Sequence, residues 1–147
     1  MTKPIYAVGD IHGQTEQLER ALELITADGG PEAEVVFVGD YVDRGPDSLG
    51  AVRLAMGAAD RAKVDMVTLL PGNHELMLID GLLAPQEFMG DWLDNGGDAV
   101  IREAVPGCTA RKLADLAEIA RAAFDPAFLI AMTSGPTFER AGELLLV

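Results

Sequence analysis

Three short apolar runs, each cut off by a glycine beside a polar cluster, constrain this chain more than any other feature. Ile5-Tyr6-Ala7-Val8 stops at Gly9-Asp10, Val35-Val36-Phe37-Val38 stops at Gly39-Asp40, and the run from Val64 to Leu70 stops at Pro71-Gly72. Runs of this length bounded by turn residues read as strands. Between the first two, Leu18, Ala21, Leu22 and Ile25 fall at i, i+3, i+4 and i+7, which predicts a helix over residues 15–28, broken at Gly29-Gly30-Pro31. Between the second and third, Asp47 can cap a helix on which Leu49, Val52, Met56 and Ala59 share one face. Strand, helix and strand repeating at about 30 residues predict βαβ connections and a buried parallel sheet, an α/β fold.

The second half reads differently. From Glu75 to about Phe128 the pattern is helical, punctuated by Pro85, Gly96-Gly97 and Pro106-Gly107, with Leu113, Leu116, Ala120 and Ala123 as one stripe. Gly135-Pro136 ends it, and Leu144-Leu145-Leu146-Val147 is a last run with strand character. No linker, repeat or low-complexity tract divides residues 1–147, so one domain, or part of one, is expected.

Charge limits the partners. The 147 residues carry 11 Lys+Arg against 24 Asp+Glu, a formal charge of −13, with no basic cluster. That balance opposes binding to nucleic acid and to anionic membranes, and no apolar run approaches the ~18–20 residues of a membrane span. The single cysteine, Cys108, cannot form an internal disulfide, so the expected location is cytoplasmic. A small phosphorylated ligand stays compatible, because a metal ion or one arginine reverses the local field.

The chemistry sits where the strands end. The loops read Gly9-Asp10-Ile11-His12-Gly13, then Gly39-Asp40-Tyr41-Val42-Asp43-Arg44-Gly45, then Gly72-Asn73-His74-Glu75. Ligands of open α/β sheets bind beyond the carboxyl ends of the strands, so these loops should converge. Asp10 and His12, one residue apart on an extended segment, would project to one side and hold a metal ion. Asp40 has two oxygens with which to bridge to a second ion, and Asn73 offers that ion a carbonyl oxygen. Carboxylate, imidazole and amide ligands suit Mn, Fe or Zn, and two such ions polarise a phosphoryl group and generate hydroxide. His74 is then placed to protonate the leaving oxygen, with Asp43 holding its ring and raising its pKa. Arg44 can fork onto phosphate oxygens. Each motif alone is weak; their order, spacing and placement carry the inference. Trp92, beside Phe88 and Leu93, reads as core packing rather than a substrate platform.

Gly-Asp-x-His-Gly, Gly-Asp-x-Val-Asp-Arg-Gly and Gly-Asn-His-Glu together resemble the signature of calcineurin-like metallophosphoesterases. The full Val-Asp-Arg-Gly form resembles the phosphoprotein phosphatase branch, with its bacterial Ser/Thr phosphatases and symmetrical diadenosine tetraphosphatases. Trp92-Leu93-Asp94-Asn95-Gly96-Gly97 is similar to the Trp-x-x-Asn-Gly-Gly stretch of bacterial members. The resemblance implies an αββα sandwich, of which this chain supplies the N-terminal βαβαβ half plus a helical segment. It implies Asp10 and His12 on a first metal, Asp40 bridging, Asn73 on the second, Arg44 on phosphate, and His74 as general acid assisted by Asp43. The implied activity is metal-dependent hydrolysis of phosphomonoesters by attack of a metal-bound hydroxide, with protein phosphoserine or phosphothreonine favoured. The alternatives are symmetrical diadenosine tetraphosphate hydrolysis and a truncated, non-catalytic phosphate- or metal-binding remnant. Manganese is the expected metal. Relatives of this kind supply two further histidines to the second metal, whereas this chain has only His12 and His74. An N-terminal portion of a longer enzyme, with its second metal site incompletely supplied and a sheet surface open to self-association, is the expectation.

Overall fold

A computed structural model describes residues 3–147. Its centre is a parallel sheet of β1 (Ile5–Val8), β2 (Glu34–Phe37) and β3 (Met66–Leu69), in that order across the sheet. Ile5, Glu34 and Met66 are in register, as are Val8, Phe37 and Leu69. The ladder continues past the strand ends, Val38 N–H donating to the Val8 carbonyl at 2.8 Å and Leu70 N–H to that of Phe37 at 2.9 Å. The three strands therefore deliver their loops at one edge.

The crossovers are α1 (Thr15–Asp28), followed by a 3₁₀ turn at Gly30–Glu32, and then α2 (Ser48–Met56) with α3 (Ala58–Ala62). Parallel crossovers are right-handed almost without exception, and two that step in one direction put their helices on the same face of a sheet. Leu18, Leu22, Ile25, Val52 and Ala55 accordingly pack with Val35 and Phe37 in one core. The predicted helix over 15–28 is found with those bounds. The Asp47 cap is also found, its carboxylate accepting from Gly50 N–H at 2.8 Å. The expected stripe through Ala59 is interrupted: Gly57 ends α2, and α3 closes at Lys63 in a left-handed conformation (φ 50°). That cap delays the third strand to Met66.

Five helices follow: α4 (Asn73–Leu83), α5 (Pro85–Trp92), α6 (Asp98–Ala104), α7 (Leu113–Ala123) and α8 (Pro126–Ser134), with a π-type turn at Leu93–Gly97. Leu78, Leu82, Met89, Trp92, Val100, Ala117, Ala120, Phe124 and Phe128 extend the same core. Tyr41 joins the two halves, its ring edge-on to Phe128 and its hydroxyl donating to the Leu70 carbonyl at 2.9 Å. The terminal apolar run forms β5 (Leu144–Leu146), paired antiparallel with β4 (Glu139–Ala141) in a hairpin apart from the main sheet. On the other sheet face Ile5, Ala7 and Met66 are exposed, whereas Val36 at its centre is buried. Among the described residues no helix is long and apolar enough to cross a membrane.

Candidate active site

The loops that leave the sheet are wound unusually. Asp10, His12, Asp40, Asp43 and Arg44 all have positive φ (51°, 42°, 57°, 73° and 65°), and Lys63 is the one other non-glycine residue described this way. Left-handed backbone costs an L-residue about 1–2 kcal/mol, and it persists where surrounding bonds over-determine it. Those bonds are present. His12 N–H donates to the Asp40 carbonyl at 2.9 Å and Gly13 N–H to that of Tyr41 at 3.0 Å, so the first loop lies along the second. Gly39 (φ +90°) touches the third loop so closely that a Cβ there would stand 2.2 Å from Gly72 N.

Glu75 fastens the second loop to the third. Its buried carboxylate accepts from the backbone N–H groups of Asp40 (2.7 Å), Tyr41 (2.9 Å), Gly72 (2.9 Å) and Val42 (3.3 Å). Burial pushes its carboxyl above the usual range, and these four donors pull it back. The sequence placed Glu75 inside a motif but gave it no task; its signal was an acid in the first turn of a helix, able to reach back to its own N-terminus.

Within this frame His12, Asp40 and His74 converge, with one ligand atom from each lying within 4.8 Å of the others. His12 Nδ1 donates to the Val42 carbonyl at 2.8 Å, which leaves the lone pair on Nε2 for a cation in place of the long 3.5 Å contact from Arg44 Nη1. Asp40 accepts from His74 N–H at 3.1 Å. The His12 nitrogen and the Asp40 carboxylate, each oriented by a second bond of its own, suit a divalent transition-metal ion, and the His74 ring stands edge-on to His12 with centroids 4.7 Å apart. Asn73 opens α4 beside them and is exposed.

Asp10 departs from the expectation. The segment from Asp10 to His12 is not extended but left-handed at both residues, so strand alternation does not align the two side chains. Asp10 is exposed and borders a hollow with Gln14, Gln17 and Ala21.

His74 and Asp43 form the expected pair, Nδ1 donating to Asp43 Oδ2 at 2.8 Å with both side chains almost wholly buried. The expected rise in the His74 pKa is not found. Burial lowers it, with the charge of Arg44 adding to the effect. Asp43 is itself desolvated, and its carboxyl is pushed up to about 7. Arg44 is exposed at the rim, its Nη1 3.5 Å from His12 Nε2 and its backbone N–H bonded to the Gly96 carbonyl at 3.1 Å.

Two more groups hold the second loop. Trp92 Nε1 lies 3.0 Å from both oxygens of Asp43. Asp43 N–H donates to Ser48 Oγ at 3.0 Å. Glu103 of α6 accepts from Ser48 N–H at 2.8 Å and from Leu49 N–H at 3.1 Å, at the start of α2. Trp92 is core, as its apolar neighbours indicated, but its nitrogen has a polar task that neighbours in sequence do not show.

Comparison with known proteins agrees with this geometry. Serine/threonine-protein phosphatase 1 of Salmonella typhimurium is 39% identical over 95 residues, 64% of this chain and 39% of the relative. The symmetrical bis(5'-nucleosyl)-tetraphosphatase of Legionella pneumophila (strain Lens) is 39% identical over 87 residues, 59% of this chain and 29% of the relative. Its counterpart in Janthinobacterium (strain Marseille) is 42% identical over 74 residues, 50% of this chain and 25% of the relative. The chain thus spans well under half the length of these relatives. The sequence profile of the calcineurin-like phosphoesterases matches residues 3–109, the stretch that holds all three loops and the turn bonded to Arg44 of the second. By that match, over most of its length, the chain belongs to the calcineurin-like phosphoesterase family.

Proposed function

We propose that this chain carries the strand-end half of a metal-dependent phosphomonoesterase site, acting on phosphoserine or phosphothreonine in proteins. The observation that carries the reading is the buried His74–Asp43 pair, set beside the converging His12 and Asp40. His12 and Asp40 would hold a divalent ion, with Asn73 and Asp10 within the same loops as further oxygen donors; manganese is the proposed metal. When bound, such ions polarise a phosphoryl group and make attacking water acidic. Arg44 offers its guanidinium to the phosphate oxygens from the rim. His74, with Nδ1 committed to Asp43, presents Nε2 as proton donor to the leaving oxygen.

The phosphatase from Salmonella supports the phosphoprotein substrate. The tetraphosphatases support a second reading, in which a dinucleotide polyphosphate is cleaved. A third reading, a non-catalytic metal- or phosphate-binding remnant, draws on the small share of each relative that this chain spans. A second metal site incompletely supplied by this chain, self-association through the exposed Ile5 and Met66 of the sheet, and a cytoplasmic location belong to the same proposal. Nucleic acid and membranes are not partners in it, given the charge of −13.

The test is hydrolysis of an aryl phosphate by the purified chain under Mn²⁺ titration, beside Asp40→Asn and His74→Asn. Saturable metal-dependent turnover lost in both variants is expected. Turnover unchanged in Asp40→Asn would sink the reading. A folded chain that binds metal without turnover would favour the remnant. Phosphopeptide and diadenosine tetraphosphate, offered in competition, then separate the two substrate classes.

A further inference from the structure

We propose that Trp92 is a positioning residue for this reaction: its indole N–H fixes the carboxylate of Asp43 and, through it, the ring of His74. The proposal rests on the reading of His74 as the proton donor. The ring of Trp92 is fully buried at the end of α5, where packing alone asks only for a large apolar side chain. Packing does not call for an N–H, which must find a partner when buried. Here it finds the one carboxylate that holds His74. Nε1 stands 3.0 Å from each Asp43 oxygen, and Oδ2 also receives His74 Nδ1–H at 2.8 Å. A carboxylate held by one donor can swing about its Cβ–Cγ bond; a second donor set across both oxygens stops that motion.

The indole is held in turn. A Cβ on Gly97 would lie 2.3 Å from Trp92 Cε2, so the backbone of the π-type turn lies directly against the ring. The same turn grips the neighbouring residue. The Gly96 carbonyl accepts from Arg44 N–H, and the Asn95 carbonyl from Arg44 Nε at 3.4 Å. A Cβ on Gly96 (φ +112°) would stand 2.7 Å from Arg44 Cγ. Trp92 to Gly97 is thus a six-residue brace against the acid-orienting carboxylate and the phosphate-binding arginine, which are adjacent in sequence and both left-handed.

The test is nuclear magnetic resonance of the full 147-residue chain, labelled with ¹⁵N. There are two histidines and one tryptophan, so ring signals are few and His74→Asn assigns them. In the unsubstituted chain His74 should show one tautomer, protonated at Nδ1 and slow to exchange with solvent. Trp92→Phe keeps the aromatic bulk and removes the N–H. Loss of a charge-assisted hydrogen bond should speed Nδ1 proton exchange about tenfold or more. His12, tied to the Val42 carbonyl, should not change and serves as the internal control. A folded Trp92→Phe chain with unaltered His74 signals overturns the proposal. Should that variant unfold, the reciprocal measurement decides. Asp43→Asn must shift the single indole N–H signal and hasten its exchange, and an unmoved signal overturns the proposal equally. Neither readout needs turnover. A chain that hydrolyses nothing would defeat the catalytic reading, while the tie between Trp92 and His74 would still be measurable.

Discussion

Glu75 shows how much one side chain can carry. It satisfies four backbone donors from two loops, so Glu75→Ala leaves several buried N–H groups without partners, each costing about 1–3 kcal/mol. A loss of about 3 kcal/mol or more is expected in urea unfolding, together with weaker metal binding by calorimetry. Asp43 gives a prediction of different sign. Its carboxyl is raised from 3.8 to about 7, so between those values the folded chain holds a proton that the unfolded chain has released. Stability of the metal-free chain from this group is therefore greatest at low pH and is lost as pH rises toward 7. His74, lowered from 6.5, opposes it: its contribution is lost as pH falls below 6.5. Asp43→Asn should remove the first dependence, and urea midpoints measured from pH 4 to pH 7 should then fall less steeply with rising pH. The pairing of Asp43 with His74 was legible because motif chemistry names both residues. The task of Glu75 was not, since its partners at positions 40–42 lie more than thirty residues away. The left-handed backbone at Asp10 and His12 was equally hidden: a spacing of one residue means alignment only on an extended strand.

Among the elements, legibility followed periodicity. Helix α1 and the strand positions were readable because burial repeats at fixed spacing and glycine ends each run. The split between α2 and α3 was not, because Ala59 continues the apolar stripe across the Gly57 break. Strand β5 was readable as the last apolar run, but its partner β4 escaped because Thr137-Phe138-Glu139-Arg140-Ala141 shows no alternation. The contact between strand-end loops makes an element-level prediction. Gly39→Ala would place a methyl group 2.2 Å from Gly72 N in a left-handed turn. It should cost more than about 2 kcal/mol, whereas alanine at Gly90, whose added Cβ meets nothing within 4 Å, should be neutral or slightly stabilising. Thermal unfolding of the two variants checks the contrast.

At the scale of the molecule, one sheet face is packed by helices while Ile5 and Met66 lie 39% and 43% exposed on the other. An apolar sheet surface with open edges invites association. Sedimentation should therefore show concentration-dependent self-association, reduced in a Met66→Lys variant that leaves the loops untouched. A monomer at all concentrations would contradict this. The left-handed residues have a consequence for how such a chain can be improved. Of the six non-glycine residues in that conformation among the described residues, five form the loops around the site and one, Lys63, stands apart. Glycine at any of them would relieve about 1 kcal/mol of backbone strain. At Lys63 that gain costs no chemistry; at Arg44 or Asp43 it removes the group that binds or orients. Selection for stability alone would thus be drawn toward changes that erase the site. An engineer seeking a hardier chain should start at position 63 and leave the strained loops as they are.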